Sequence, residues 1–124
     1  MAKRDLDRMR EILLHLEQQE SDDGQVWTRG DAFFVASDQY QITLLKQAGF
    51  LKGDYQTMGS VVTDQLMITF DGHDYLDAIR DDGIWQKTKT AVLETGGNAT
   101  VEILKALALG FLKQKIEKHT GISL

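Results

Sequence analysis

The sequence predicts a small α+β domain, and three observations predict this class. Apolar residues recur at three- and four-residue steps in several segments, which is typical of amphipathic helices. Short apolar runs rich in β-branched and aromatic residues lie between glycine-containing turns, as antiparallel strands do. The chain has 124 residues, of which 42% are hydrophobic and 27% charged, so it can form one domain with a hydrophobic core.

The first predicted element is an amphipathic helix over residues 4–19. Its apolar stripe comprises Leu6, Met9, Ile12, Leu13 and Leu16. The turn-forming residues 21–24 end it. The short runs 26–28 and 32–35 then predict at least one small strand.

A second helix of about three turns follows, and Ser37 or Asp38 is expected to cap it through a side-chain oxygen. One face of this helix carries Ile42, Leu45 and Ala48. Gly49 supplies a left-handed stop. Apolar residues at 50–51, 61–62 and 66–68 flank a polar stretch that contains glycine, which predicts a β-hairpin with short strands and a long tip.

Two further helices are predicted after the hairpin. Thr69 can cap the first of them, where Asp71 suits the positive end of the helix dipole. The side chains expected to face inward are Phe70, Leu76 and Ile79. Asp81 or Asp82 begins the next helix, whose apolar side comprises Ile84, Trp85, Thr88 and Val92.

Gly96 and Gly97 mark a hinge before a last helix over about residues 100–118. We therefore divide the chain into a domain at residues 1–95 and a C-terminal helical extension at 96–124. The apolar arc of the last helix is broad, with one seam at Val101, Leu104, Ala108, Phe111 and Lys115 and an adjacent one at Ile103, Leu107, Leu112 and Ile116. The helix is either buried in its own monomer or shares its second face with a partner, expected to be another copy. The residues expected at such a contact are Ile103, Leu107, Phe111, Leu112 and Ile116.

Charge and composition narrow the classes of function. The net charge is −5, and of the three segments 1–69, 70–99 and 100–124 only the last has a net positive charge, so the balance argues against strong generic binding to nucleic acid. The chain has no cysteine, which excludes disulfides, thiolate nucleophiles and zinc-finger sites. It also has no apolar run long enough to span a bilayer and no apolar signal core at its start. We expect a cytoplasmic protein that does not associate with membranes.

No pattern of residues indicates catalysis, a metal or a cofactor. The three histidines, His15, His73 and His119, fall on three different predicted helices without partners at ligand spacing. The aspartates between 71 and 82 are explained by helix-start electrostatics and by an Asp77–Arg80 or Asp77–Asp81 neighbourhood. No glycine loop suits a phosphate and no serine lies in a nucleophile elbow. Trp85 is expected in the core, whereas Trp27 is the aromatic expected to be exposed.

The order of elements resembles a winged helix-turn-helix domain: a helix, a short strand, a helix that ends in an Ala-Gly step, and a β-wing. Residues 42–51 look like the recognition helix and first wing strand of such domains. One departure is that little room exists for a regular second helix between the first helix and Ser37. Since that helix braces the reader helix against DNA, its shortening puts DNA recognition in question.

The chain more specifically resembles the bacterial and phage family known as domain of unknown function 2513. The matching pieces are residues 3–5 (Lys-Arg-Asp), 44–51 (Leu-Leu-Lys-Gln-Ala-Gly-Phe-Leu) and 69–82 (Thr-Phe-Asp-Gly-His-Asp-Tyr-Leu-Asp-Ala-Ile-Arg-Asp-Asp), then Trp85 and the Gly96-Gly97 step. The resemblance implies a winged-helix-like fold and no established activity.

Two non-catalytic functions stay open. In the first, the protein is a regulator that reads duplex DNA with Gln39, Gln41, Thr43, Lys46 and Gln47, assisted by Arg29 and Lys52. In the second, it is an adaptor or host-factor inhibitor that binds a protein partner and no DNA. Glutamine and lysine suit base edges and phosphates, but they also suit any solvated helix.

Overall fold

The computed structural model describes residues 4–20, 25–26, 33–58, 60–94 and 101–122. Along the chain the elements are α1 (Leu6–Gln19), β1 (Gln25–Val26), α2 (Asp38–Gln47), β2 (Leu51–Met58), β3 (Ser60–Ile68), α3 (Phe70–Ile79), α4 (Asp82–Glu94) and α5 (Val101–Thr120). The fold is mixed α+β, as predicted. The chain forms two compact units, Met1–His73 and Asp74–Leu124. The boundary predicted at residue 96 lies outside the described residues.

Helix α1 confirms the predicted amphipathic stripe. Asp5 caps it, because its carboxylate Oδ1 accepts a hydrogen bond from the Arg8 backbone N–H at 3.0 Å. The buried residues of the helix are Met9, Ile12, Leu13 and Leu16. They share one face at helical spacing, so α1 contributes a continuous apolar stripe to the first unit.

Helix α2 starts at Asp38 and stops where predicted. Ser37 precedes it without a side-chain capping hydrogen bond. At the other end Gly49 adopts a left-handed φ of 82°, and the Phe50 N–H donates to the Leu45 carbonyl at 2.9 Å. The glycine is needed here because an L side chain is strained at positive φ. The turn directs the chain into β2.

The sheet is antiparallel with strand order β1-β3-β2, and its hairpin is longer than predicted. Leu51 pairs with Ile68, and pairing continues to Met58 opposite Ser60. The expected long tip is therefore wrong, because backbone pairing requires no apolar side chains and extends through the polar stretch. The pairing shifts by one residue between Asp54 and Tyr55, so one extra residue on β3 is left without a partner in the register.

Thr69 connects the start of α3 to the turn after α2. Its hydroxyl accepts a hydrogen bond from the Gly72 N–H at 3.0 Å and donates to the Gly49 carbonyl. Its own N–H donates to the Phe50 carbonyl at 3.0 Å. The predicted cap is thus confirmed, and it also bridges two segments 20 residues apart.

Removal of the Thr69 hydroxyl should be measurable in stability. We expect Thr69→Ala to lower the free energy of unfolding by about 1 kcal/mol, the usual cost of losing a helix cap. Thr69→Ser keeps the hydroxyl and should remain close to wild type. Urea denaturation of the three proteins compares them, and equal losses in both variants would contradict a role for the hydroxyl.

Phe70 does not face inward as predicted: it is 83% exposed, whereas Leu76 and Ile79 are buried. The reason is helical geometry, since a six-residue step turns the helix by about 240°, so Phe70 cannot share a face with Leu76.

The second unit contains an antiparallel pair of helices, α4 and α5. Asp81 precedes α4 and pairs with Lys115 near the end of α5, so the two helices run antiparallel. Asp81 also caps α4, because its Oδ1 accepts from the Ile84 N–H at 2.9 Å. The buried residues of α4 are those predicted: Ile84, Trp85, Thr88 and Val92. Leu104 and Ala108 are the buried residues in the described part of α5.

Candidate functional site

Helix α2 is the predicted reader helix, and its orientation is defined by four buried side chains. These are Asp38, Gln41, Ile42 and Leu45. They recur at three- and four-residue steps, so the opposite side of the helix faces solvent. We refer to Gln39, Tyr40, Thr43, Lys46 and Gln47 as the outer face of α2. Gln39, Tyr40 and Gln47 are exposed, while Thr43 and Lys46 are half-buried.

Asp38 is held by a bidentate pair with Arg8 of α1. Arg8 Nε and Nη2 donate to the two carboxylate oxygens of Asp38 at 2.8 and 2.7 Å. Arg8 Nη2 also donates to the Phe33 carbonyl at 2.8 Å, and its guanidinium lies 4.2 Å from the centroid of the Phe33 ring. Asp38 accepts a further hydrogen bond from the Val35 N–H at 3.0 Å. This cluster fixes the start of α2 against α1.

The electrostatics of the pair agree with its geometry. Burial alone would raise the pKa of Asp38, whose side chain is only 1% exposed. Hydrogen bonds from Arg8 and from the Val35 N–H outweigh that effect, so the pKa of Asp38 lies below its ordinary value. The hydrogen bond to Asp38 likewise raises the pKa of Arg8. Both groups are charged at neutral pH.

Gln41 does not face solvent on α2 as predicted for a DNA-reading residue, because only 6% of its surface is exposed. Its side-chain Oε1 accepts a hydrogen bond from the Asp5 N–H at 2.9 Å. It lies one turn from Asp38 on the inner side of α2 and connects this helix to the start of α1. The sequence places Gln41 among polar neighbours and contains no signal of the long-range contact that buries it.

The other residues predicted to contact DNA are at least partly exposed, as expected, wherever the structure describes them. Gln39 and Gln47 are exposed on α2, and Lys52 is exposed on β2. Thr43 donates its hydroxyl to the Gln39 carbonyl at 2.9 Å, a local bond that leaves the side chain along the helix. Arg29 and Trp27 lie outside the described residues.

The outer face of α2 carries no carboxylate. Among the described helices, α1, α3, α4 and α5 each expose at least one aspartate or glutamate: Asp7, Asp77, Asp82 and Glu102 are examples. In α2 the only acidic residue is Asp38, and it is buried and neutralised by Arg8. Lys46 therefore provides the formal charge of the outer face, in a protein whose net charge is −5. Sequence reasoning missed Tyr40, which adds an exposed aromatic ring to this face.

The five residues predicted for a partner contact on α5 do not lie on one face. Ile103 is 50% exposed and Ile116 is 39% exposed, while Leu107, Phe111 and Leu112 are half-buried. Each residue turns an α-helix by about 100°, so Leu107 and Leu112, which are five residues apart, point in directions that differ by about 140° around the helix axis. Ile103 and Leu107 therefore lie on one flank of the buried stripe, and Leu112 and Ile116 lie on the other.

The aspartate-rich segment after the hairpin has structural roles. Arg80 Nη2 donates to Asp77 Oδ1 at 2.8 Å, which confirms the expected pair. His73 Nε2 lies 3.1 Å from Glu20 Oε1, although the contact lacks good hydrogen-bond geometry. Burial raises the pKa of Glu20, and His73 opposes this rise. In the described part of the chain, no three histidine or acidic side chains come together to hold a metal ion.

Comparison with known proteins places the chain in a family. The family described as hypothetical protein DUF2513 matches residues 3–98, which include α1, the sheet, α2, α3 and α4. The chain belongs to this family. The segment 69–82, on which the family resemblance depends, has three structural roles in this DUF2513 protein. Thr69 caps α3, Gly72 allows close packing of α3 against Phe50, and Asp81 caps α4.

An uncharacterized protein of Haemophilus influenzae is similar to this DUF2513 protein. The two are 29% identical over 116 residues, an alignment that covers 92% of this chain and 98% of the relative. The family match ends before α5, but this longer alignment is too extensive to omit that helix. No solved structure matches the chain significantly. In the described residues, no helix is long and apolar enough to cross a membrane.

Proposed function

We propose that this protein is a non-catalytic regulator that binds duplex DNA through the outer face of α2. The observation that supports the proposal is the absence of carboxylates on that face, achieved by burial of Asp38 against Arg8. An exposed carboxylate there would repel the phosphate backbone. The outer face instead offers amides, a hydroxyl, an aromatic ring and one ammonium group.

The fold proposed to present this face is a winged-helix-like domain. The order of α1, β1, α2 and the β2–β3 hairpin, with sheet order β1-β3-β2, supports it. The described residues just before α2, at 33–37, form a turn instead of a regular helix. The Arg8–Asp38 pair would then take over the bracing of the reader helix that a preceding helix normally supplies.

The chemistry of the outer face suits the major groove. Gln39 and Gln47 can each donate to and accept from an adenine edge, which a carboxylate or an ammonium group alone cannot do. Lys46 on α2 and Lys52 on β2 would contact phosphates. With so few cations, one copy would bind weakly, so we also propose a homodimer that doubles the phosphate contacts. Ile103 and Leu107 on one flank of α5 are the residues proposed for that contact.

The test is fluorescence anisotropy of the protein with DNA fragments from its own locus at low and near-physiological salt. We expect sequence-selective binding that Lys46→Glu weakens at least about tenfold, with a salt dependence reduced by about one ion. Lys87→Glu is the matched control, since Lys87 is exposed on α4 and the charge change is the same. No binding at either salt, or equal losses in both variants, would contradict DNA recognition by α2.

A protein-interaction module is the second candidate, and the exposure of Phe70 favours it. An aromatic side chain that is 83% exposed at the start of α3 is a typical anchor for a protein partner. Phe70 belongs to the segment that carries the family resemblance. In this case the DNA experiment fails, and neither Lys46→Glu nor Lys87→Glu alters the partner's affinity.

A further inference from the structure

A groove opens between the start of α4 and the last turns of α5, within the unit Asp74–Leu124. Its volume is about 620 Å³, within the range of small-molecule sites. Its apolar lining comprises Ile84, Leu112 and Ile116, and its polar lining comprises Asp81, Lys115, Lys118, His119 and Thr120. The family match stops at residue 98, so the α5 side of the groove lies outside the region that defines the family.

The groove changes character along α5. From Leu112 to His119 the helix advances by roughly 10 Å, about the length of an extended alkyl chain of eight carbons. Leu112 and Ile116 come earlier along this path, and Lys118 and His119 are in the last turn of the helix. A ligand that satisfies both ends has an apolar tail and a polar head.

The charges decide which head group fits. Lys115 is engaged by Asp81, and this ion pair lowers the pKa of Asp81. Lys118 and His119 have no such partner among the described residues. The ammonium group of Lys118, which lines the groove, therefore favours an anionic head.

The same charges disfavour a second copy of α5 in the groove. A second α5 helix placed in the groove would bring its own Lys115 and Lys118 close to the same two residues. Repulsion between like charges would oppose this pairing.

We propose that the groove binds a single-chain amphiphilic anion, with the tail on Ile84, Leu112 and Ile116 and the carboxylate beside Lys118. The proposal is independent of DNA binding. Its probes are decanoate and decyltrimethylammonium, titrated into the full-length protein below their micelle concentrations and followed by calorimetry. Decanoate should bind at least about tenfold more tightly than the cationic probe, because the tails are nearly equal and the heads differ in charge.

Two variants test the position of the head group. Lys118→Glu should weaken decanoate binding by about tenfold, since it replaces attraction by repulsion at a partly solvated site. Lys113→Glu is the control: Lys113 is exposed on the same helix but does not line the groove, so its affinity should stay within about twofold.

Three outcomes would overturn the proposal. The first is equal affinity for the anionic and cationic probes, which would mean that Lys118 does not select the head. The second is equal weakening by Lys118→Glu and Lys113→Glu, which would indicate a general effect of net charge. The third is binding to vesicles of anionic phospholipid with none to monomeric decanoate, which would assign the groove to a membrane surface.

Discussion

Gly72→Ala should destabilise the protein severely, by about 3 kcal/mol or more, through overpacking against the backbone. A Cβ at this position would lie 2.2 Å from the Phe50 carbonyl oxygen and 2.8 Å from Ile68 Cγ2. The carbonyl cannot give way freely, because it accepts the Thr69 N–H at 3.0 Å. Chemical denaturation monitored by circular dichroism measures the loss.

Gly110→Ala is the matched control, because Gly110 also lies within a helix but a Cβ there meets no atom within 4 Å. Removal of the glycine's backbone freedom should stabilise α5 by roughly 0.5–1 kcal/mol. The two substitutions thus add the same methyl group, but Gly72→Ala should lower the free energy of unfolding and Gly110→Ala should raise it. If Gly72→Ala were tolerated as well as Gly110→Ala, the close approach of α3 to Phe50 would be wrong.

Asp38→Ala should have the second large effect, about 3 kcal/mol. It leaves the Val35 N–H without its acceptor and removes the buried carboxylate from the Arg8 guanidinium, which keeps the Phe33 carbonyl and the more exposed Glu11 carboxylate. Because 23% of the Arg8 side-chain surface is accessible, we expect a loss of stability at the lower end of that for breaking a buried ion pair. The change should also loosen the start of α2. Urea denaturation and amide exchange in α2 measure the two effects.

Asp77→Ala provides the control for the loss of an arginine–carboxylate pair. The Asp77–Arg80 contact has the same length, 2.8 Å, as one of the Arg8–Asp38 bonds, but both of its side chains are largely exposed. Its removal should change stability by less than about 0.5 kcal/mol. Similar losses in the two variants would mean that burial does not matter to the Asp38 pair.

Stability should also depend on pH through Asp38. Because its pKa in the folded protein is below the ordinary value, this group stabilises the fold above its unfolded pKa. That stabilisation is lost as the pH falls through the lower, folded pKa. Asp38→Ala should therefore flatten the decline of stability on the acid side of neutrality. An unchanged acid profile would show that the pair does not titrate in this way.

Local patterns predicted the helices and most of their ends. The buried faces of α1 and α4, the cap at Thr69, the start of α4 at Asp81 or Asp82 and the glycine stop at Gly49 were all confirmed. Each depends on residues within about one or two turns, so the information is present in short windows of sequence. The length of the hairpin was not predictable in this way, because pairing between strands is a property of two segments.

The candidate site shows the same division. Its exposed glutamines and Lys46 are evident from the polar side of α2, but two of its decisive features are not, and neither is the exposure of Phe70 on α3. The burial of Asp38 depends on Arg8, 30 residues away, and the burial of Gln41 depends on Asp5, 36 residues away. The exposure of Phe70 depends on which side of α3 packs. No local signal in the sequence distinguishes Asp38 from the exposed aspartates.

The sequence alone determined the α+β class, the periodic faces of the helices and the membership of the DUF2513 family, because these follow from local spacing and residue type. Only the tertiary structure decided which polar groups are exposed. It buries Asp38 and Gln41, leaves α2 with an outer face free of carboxylates, and divides the apolar arc of α5 between two flanks. The reason is physical: charge and apolar surface acquire their function from burial, and burial is set by contacts between residues distant in the chain.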